Sequence, residues 1–209
     1  MATVIEKQSP RPRMRKRRAF PNYVGPHDNG RLMTPEEFDA VSSYNRNYRY
    51  ELINGVLIVN AMAGPAETDP NDELGFLLRL YQHEYPGVID KTIFEHYIRI
   101  PNTRRRSDRV VWTGLGRVPN IKTDVPAIVT EFLSPGKRSW TRDYNEKRQQ
   151  LRDVGVKEYW LFDRFERKLT VFRGEEEITV PHDATYTTPL LPEFTLPVGQ
   201  ILACAEDWK

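Results

Sequence analysis

The sequence predicts an α/β or α+β fold, a mostly antiparallel sheet with helices packed on it. Three observations predict it. Asn54-Gly55 separates two apolar runs, the signal of a tight two-residue hairpin. Two stretches, NDELGFLLRLYQHEY and residues 141–154, carry apolar residues at helical spacing. Between and after them lie short alternating or continuous apolar runs that read as strands. The order is strand–strand, helix, three strands, helix, two strands.

Residues 1–30 mix Pro, Gly and Arg without an apolar period, and they read as a disordered basic arm ahead of a domain over 31–209. Arg11, Arg13, Arg15, Lys16, Arg17 and Arg18 suit phosphates, or equally a solvated tail. Order begins near Thr34, where TPEE gives an N-cap, a proline at the first helical position and two acids at the positive helix end. The short helix that follows carries Phe38 and Val41. The hairpin strands fall at 48–53 and 56–60. AGPAETDP reads as a loop, and the helix after it presents Leu74, Leu77, Leu78 and Tyr81 on one face. A strand is predicted at 88–100, PNTRRR as an arginine-rich loop, then strands at 107–113 and 127–134. After the helix at 141–154, EYWLFD and KLTVFR give two strands around DRFERK. The tail beyond 175, rich in Pro and Thr, reads as loops with one further strand at most.

Composition narrows the class. With 209 residues, 39% of them hydrophobic, the chain can bury one real core. A net charge of +2 does not by itself call for a nucleic-acid partner. The single cysteine, Cys204, rules out an internal disulfide and fits a reducing, cytoplasmic setting. No apolar stretch approaches the roughly 20 residues of a spanning helix, so no membrane partner is expected.

The chemistry concentrates in three residues. Asp108 opens the apolar run SDRVVW, and Glu131 lies near the end of AIVTEFLS. If their strands pair antiparallel, the start of one lies beside the end of the other and the carboxylates converge. Mg²⁺ or Mn²⁺ takes such oxygens and keeps waters for a substrate phosphate. The backbone carbonyl of Phe132 is the expected third ligand. Two ordinary strand-end acids would look the same in sequence. Lys147 then interrupts the helical stripe Trp140, Tyr144, Leu151 and Val154. It either meets the acids or snorkels over apolar surface. Arg104, Arg105 and Arg106 precede Asp108 and could clamp nucleic-acid phosphates, or form a solvated loop. His27, His83, His96 and His182 show no metal-ligand spacing.

ELINGVLIV, SDRVVW, the run from Val125 to Asp163 and KLTVFR together resemble the Uma-type putative restriction endonuclease family of the PD-(D/E)XK nuclease superfamily, over about residues 34–175. The resemblance implies a restriction-endonuclease-like α/β core: a mixed, mostly antiparallel sheet flanked by helices, with an added N-terminal β-hairpin. It also implies Mg²⁺-dependent (or Mn²⁺-dependent) hydrolysis of phosphodiesters, with DNA as the substrate. Asp108 and Glu131 match the family's acids, and Glu51 resembles its early acidic residue, although a structural salt bridge explains Glu51 equally well. Ser107 stands in place of the superfamily's proline. Leu133 stands where its third-motif lysine should be, and Lys147 corresponds to a lysine moved to the next helix. Asn71 or Asp72 occupies roughly the place of a histidine that many relatives carry. The competing class is an inactive nucleic-acid-binding or scaffold protein that kept the fold. A homodimer would supply two sites for cutting two strands. A small-molecule hydrolase lacks any nucleophile–base motif here.

Overall fold

The structure is a computed structural model that describes residues 22–135 and 142–208. The basic run 11–18 and Trp140 lie outside the described residues. An eight-stranded sheet forms the body of the protein, in the order β10-β9-β8-β7-β6-β3-β4, with β5 also paired to β6. Its strands are β3 (Tyr48–Ile53), β4 (Val56–Ala61), β5 (Ile89–Ile100), β6 (Thr103–Thr113), β7 (Ile128–Phe132), β8 (Glu158–Asp163), β9 (Lys168–Arg173) and β10 (Glu176–Pro181). The β3–β4 hairpin forms as expected, with Asn54 at φ 50° and Gly55 at φ 81° in the left-handed region that a tight hairpin turn requires.

Neighbours in this sheet pair antiparallel except β7 and β8, which are parallel. A parallel pair needs a crossover. It runs through a π-helical turn, Arg142–Lys147, continuing into α3 (Arg148–Asp153). Helix α2 (Pro65–Glu84) and α4 (Val198–Glu206) cover the other face. The alternation of strand side chains divides the core accordingly. Val111, Ile128, Phe132 and Trp160 pack with Leu74, Leu78 and Ile201. Val110, Trp112, Val129 and Leu133 pack with Tyr144 and Leu151. Helix α1 (Pro35–Asp39) begins with the anticipated capping box, Thr34 Oγ1 accepting from the Glu37 amide at 3.1 Å and Glu37 accepting from the Thr34 amide at 2.8 Å.

Four expectations are corrected. Helix α2 starts at Pro65, so most of AGPAETDP is helical and Pro70 sits inside the helix. A proline interior to a helix costs about 3 kcal/mol, which is why the sequence alone argues for a later start. PNTRRR is not a loop, because β6 takes it up from Thr103 onward. The arm does not extend to residue 30. Val24 is fully buried, β1 (Tyr23–Val24) pairs with β2 (Ser43–Tyr44), and the Gly30 amide donates to the Leu57 carbonyl at 2.7 Å. The tail beyond 175 supplies β10, β11 (Thr185–Thr188), β12 (Leu191–Pro197) and α4. Its strands alternate buried and exposed residues as sheet edges do, and the prolines that suggested loops fall at strand ends or on exposed positions.

Candidate active site at a fork in the sheet

Strand β6 divides one of its edges between two partners. It meets β3 at Arg104, and it meets β7 from Arg109 to Val111. Between those contacts the sheet forks, and side chains take over the backbone of Arg106. Its amide donates to Glu51 Oε1 at 3.0 Å, and its carbonyl accepts from Lys147 Nζ at 2.6 Å.

One step beyond the pair Arg109–Thr130, the same antiparallel register sets Asp108 opposite Glu131. Both are buried and share the face of Val110 and Val129, toward the helix that carries Lys147. Lys147 Nζ lies 2.5 Å from Glu131 Oε1. The lysine is 2% exposed between Tyr144 and Leu151, and its charge is met by the carboxylate. Lys147 closes the π-helical turn, a distortion frequent at functional sites. Leu133 is a core residue.

Asp108 Oδ2 accepts from the Phe132 amide at 2.9 Å, and Oδ1 is 3.0 Å from the Arg49 guanidinium. Phe132 therefore turns its N–H toward Asp108. Arg49 bridges onward to Glu95 at 2.7 Å, and Arg106 also pairs with Glu95. Burial works against the Arg49 charge, but Asp108 and Glu95 outweigh it and hold the guanidinium above its usual range. Glu95 itself is unusual. It sits across from Asp108 at φ 46°, where the β5–β6 pairing skips from Phe94–Arg109 to His96–Ser107. For a residue with a side chain this conformation costs about 1–2 kcal/mol. Behind Asp108, Asn71 Nδ2 donates to its backbone carbonyl at 2.9 Å, and Arg109 Nε donates to Asn71 Oδ1 at 2.7 Å. Asn71 thus positions the Asp108 backbone from α2.

A cavity of about 360 Å³ opens onto this cluster, lined among others by Arg49, Glu51, Glu67, Arg106, Glu131 and Lys147. Glu67 was not among the residues singled out from the sequence, because it falls on the segment read as a loop. Burial raises its carboxyl pKa, a hydrogen bond with Ser134 opposes the shift, and the nearby Asp108 charge adds to it. Glu95 carried no signal in sequence at all.

The three arginines part company. Arg105 is fully buried against Gln150, at 2.7 Å, and cannot reach a phosphate. Arg104 is tied to Asp39 at 2.9 Å. Arg106 alone of the three lines the cavity. Glu51 is buried, and it joins the site through the Arg106 amide and the Arg105 guanidinium at 4.0 Å.

No cluster of three or more His, Cys, Asp or Glu side chains suited to a metal occurs among the described residues. Mg²⁺ does not need one, since one or two carboxylates with waters and substrate phosphate suffice. Asp108 and Glu131, opposite one another on adjacent strands, could supply such a pair, and Arg49 and Lys147 are the cations they hold in this structure.

The fold occurs in a solved structure described as a putative nuclease belonging to DUF820, from Anabaena variabilis ATCC 29413. Its TM-score is 0.68 at 18% identity, over 83% of this chain and 99% of that one. No curated protein matches the chain. Among the described residues no helix is long and apolar enough to cross a membrane. The sequence pattern of one family runs through the fork and both of its acids, matching residues 35–199, and the chain belongs to that family, Uma2, described as "Putative restriction endonuclease".

Proposed function

We propose that this protein is a Mg²⁺-dependent (or Mn²⁺-dependent) endonuclease that hydrolyses phosphodiesters in DNA. The carrying observation is that the β6–β7 register sets Asp108 opposite Glu131, while Glu131 and its ion-pair partner Lys147 line one open cavity. Asp108 and Glu131 would hold the ion, with the Phe132 carbonyl as a further ligand. When bound, the ion polarises the phosphate and lowers the pKa of an attacking water. Lys147 orients that water or offsets charge building at phosphorus. Arg106, on the cavity wall, suits a phosphate oxygen. Glu51 fixes the Arg106 backbone and so the floor of the site.

The competing reading is a nucleic-acid-binding or scaffold protein without activity. It draws on the fact that both acids are already held by cations of the chain itself, Arg49 and Lys147. The deciding experiment is Mg²⁺-dependent nicking of supercoiled plasmid, wild type against Asp108→Ala, with calorimetric Mg²⁺ titration of both. Nicking and Mg²⁺ binding, both lost in the variant, are expected. Nucleic-acid binding with no Mg²⁺ binding in the wild type would favour the inactive reading.

A further inference from the structure

A second open groove lies between α2 and β5, on the opposite face of β6 from Asp108. It has a volume of about 580 Å³ and is lined by Phe76 and Arg79 of α2, Lys91 and Phe94 of β5, and Arg109 of β6. Three cations face one carboxylate in it, Asp72. Phe76 and Phe94 are 59% and 47% exposed, which for aromatic rings beside cations is a surface without an occupant.

Arg109 is the anchor. It is buried, and its hydrogen bonds go to neutral acceptors, the Asn71 side chain at 2.7 Å and the Asn71 carbonyl at 2.8 Å. Among the described residues no carboxylate pairs with it, and Asp72 acts on it only at longer range. Arg79 lines the same groove, so a second cation stands beside the buried one. A buried cation next to a second cation is costly until an anion joins them. The helix also leaves room for it, since a Cβ at Gly75 would come within 2.4 Å of the Arg109 guanidinium.

We infer that this groove binds a single strand of nucleic acid, with a phosphate at Arg109, Arg79 and Lys91 and with bases stacked on Phe76 and Phe94. Exposed aromatic rings interleaved with cations are the features by which single strands are held without base readout. A duplex keeps its bases stacked inside and offers the phenylalanines nothing. The groove stands one residue of β6 away from Asp108 but on the other face of the sheet, with Asn71 bonded to both residues, so the strand would be gripped outside the cavity.

The test is fluorescence anisotropy of the full chain with a labelled oligothymidine of about 15 nucleotides, a length that covers such sites. The same measurement uses a duplex of equal length. EDTA is present throughout, so the result does not depend on cleavage or on the metal reading. Phe76→Ala and Phe94→Ala should each weaken single-strand binding about tenfold with the salt slope unchanged. Arg79→Ala and Lys91→Ala should each lower the log–log salt slope by about 0.7. Duplex affinity should not respond to the phenylalanine changes. Wild-type single-strand affinity in all four variants would overturn the inference. So would intact affinity in the phenylalanine variants with a change in sedimentation, which would make the groove a contact between protein copies.

Discussion

Two buried acids in this molecule have opposite surroundings. Glu158, at the start of β8, is 1% exposed and accepts from Arg173 at 3.0 Å, Thr188 at 2.7 Å, Trp160 at 2.8 Å and Tyr186 at 3.1 Å. Its donors reach from β8, β9 and β11, so it stitches the C-terminal strands to the sheet. Asp108 and Glu131 are also buried but stand at a fork beside an open cavity, each ion-paired with a long cationic side chain, Arg49 or Lys147. A carboxylate ringed by fixed donors is a structural part. One held by Arg or Lys at a cavity can exchange that cation for another. Both kinds sit inside family-like motifs, so the motif alone does not tell them apart.

The largest expected effect breaks the structural half. Glu158→Ala leaves three buried donors and the partly exposed Arg173 without their acceptor and should cost about 3–5 kcal/mol in urea unfolding. Activity per folded molecule should stay constant. A loss under about 1 kcal/mol, the value of an ordinary hydrogen bond, would deny Glu158 its role.

Next comes Lys147→Met. Cleavage should fall by about a hundredfold or more. Stability in EDTA should also fall, because Glu131 loses its cation, and Mg²⁺ should restore part of it. Mg²⁺ should restore nothing in Glu158→Ala, and that contrast is the sharpest form of the comparison. Full activity in a folded Lys147→Met protein would remove Lys147 from the chemistry.

A smaller effect concerns the wild type. Mg²⁺ at about a hundred times its dissociation constant should add about 2.7 kcal/mol to stability, and Asp108→Ala should abolish the gain. An unchanged melting temperature across the titration in the wild type would count against the metal site.

The smallest effect belongs to Glu67. Its carboxyl pKa is raised on folding, so it favours the folded state while protonated and loses that benefit as pH rises through the raised value. Glu67→Gln should therefore raise the melting temperature at neutral pH, with the difference vanishing below the ordinary glutamate range. A difference that is flat with pH would mean the raised carboxyl is not the cause.

Much of the fork was legible in sequence because its parts are local. The hairpin turn, the acid beside each apolar run and the lysine on an apolar stripe each leave a mark in one element. Glu67 was hidden because Pro70 argued for a later helix start, and a residue read as loop is not asked what it faces. Glu95 was hidden because its importance is a backbone conformation, which a glutamate in an alternating strand does not announce. Arg105 looked like a solvated cation, and only the pairing of β6 with β5 reveals that it points inward. The C-terminal strands read as loops with one further strand at most from their composition, whereas β11 is tied to the sheet by Glu158, 28 and 30 residues from Tyr186 and Thr188 and out of reach of any local pattern.

The way the fork handles Arg106 has one more consequence. In a sheet an amide is guarded by another strand's carbonyl, which does not titrate. The Arg106 amide is guarded by a glutamate side chain instead. Its exchange with deuterated solvent should therefore speed up in Glu51→Ala, because that substitution removes the acceptor that protects it. A single backbone position can thus report whether the site's floor is intact, in a protein that need not be cutting anything when the measurement is made.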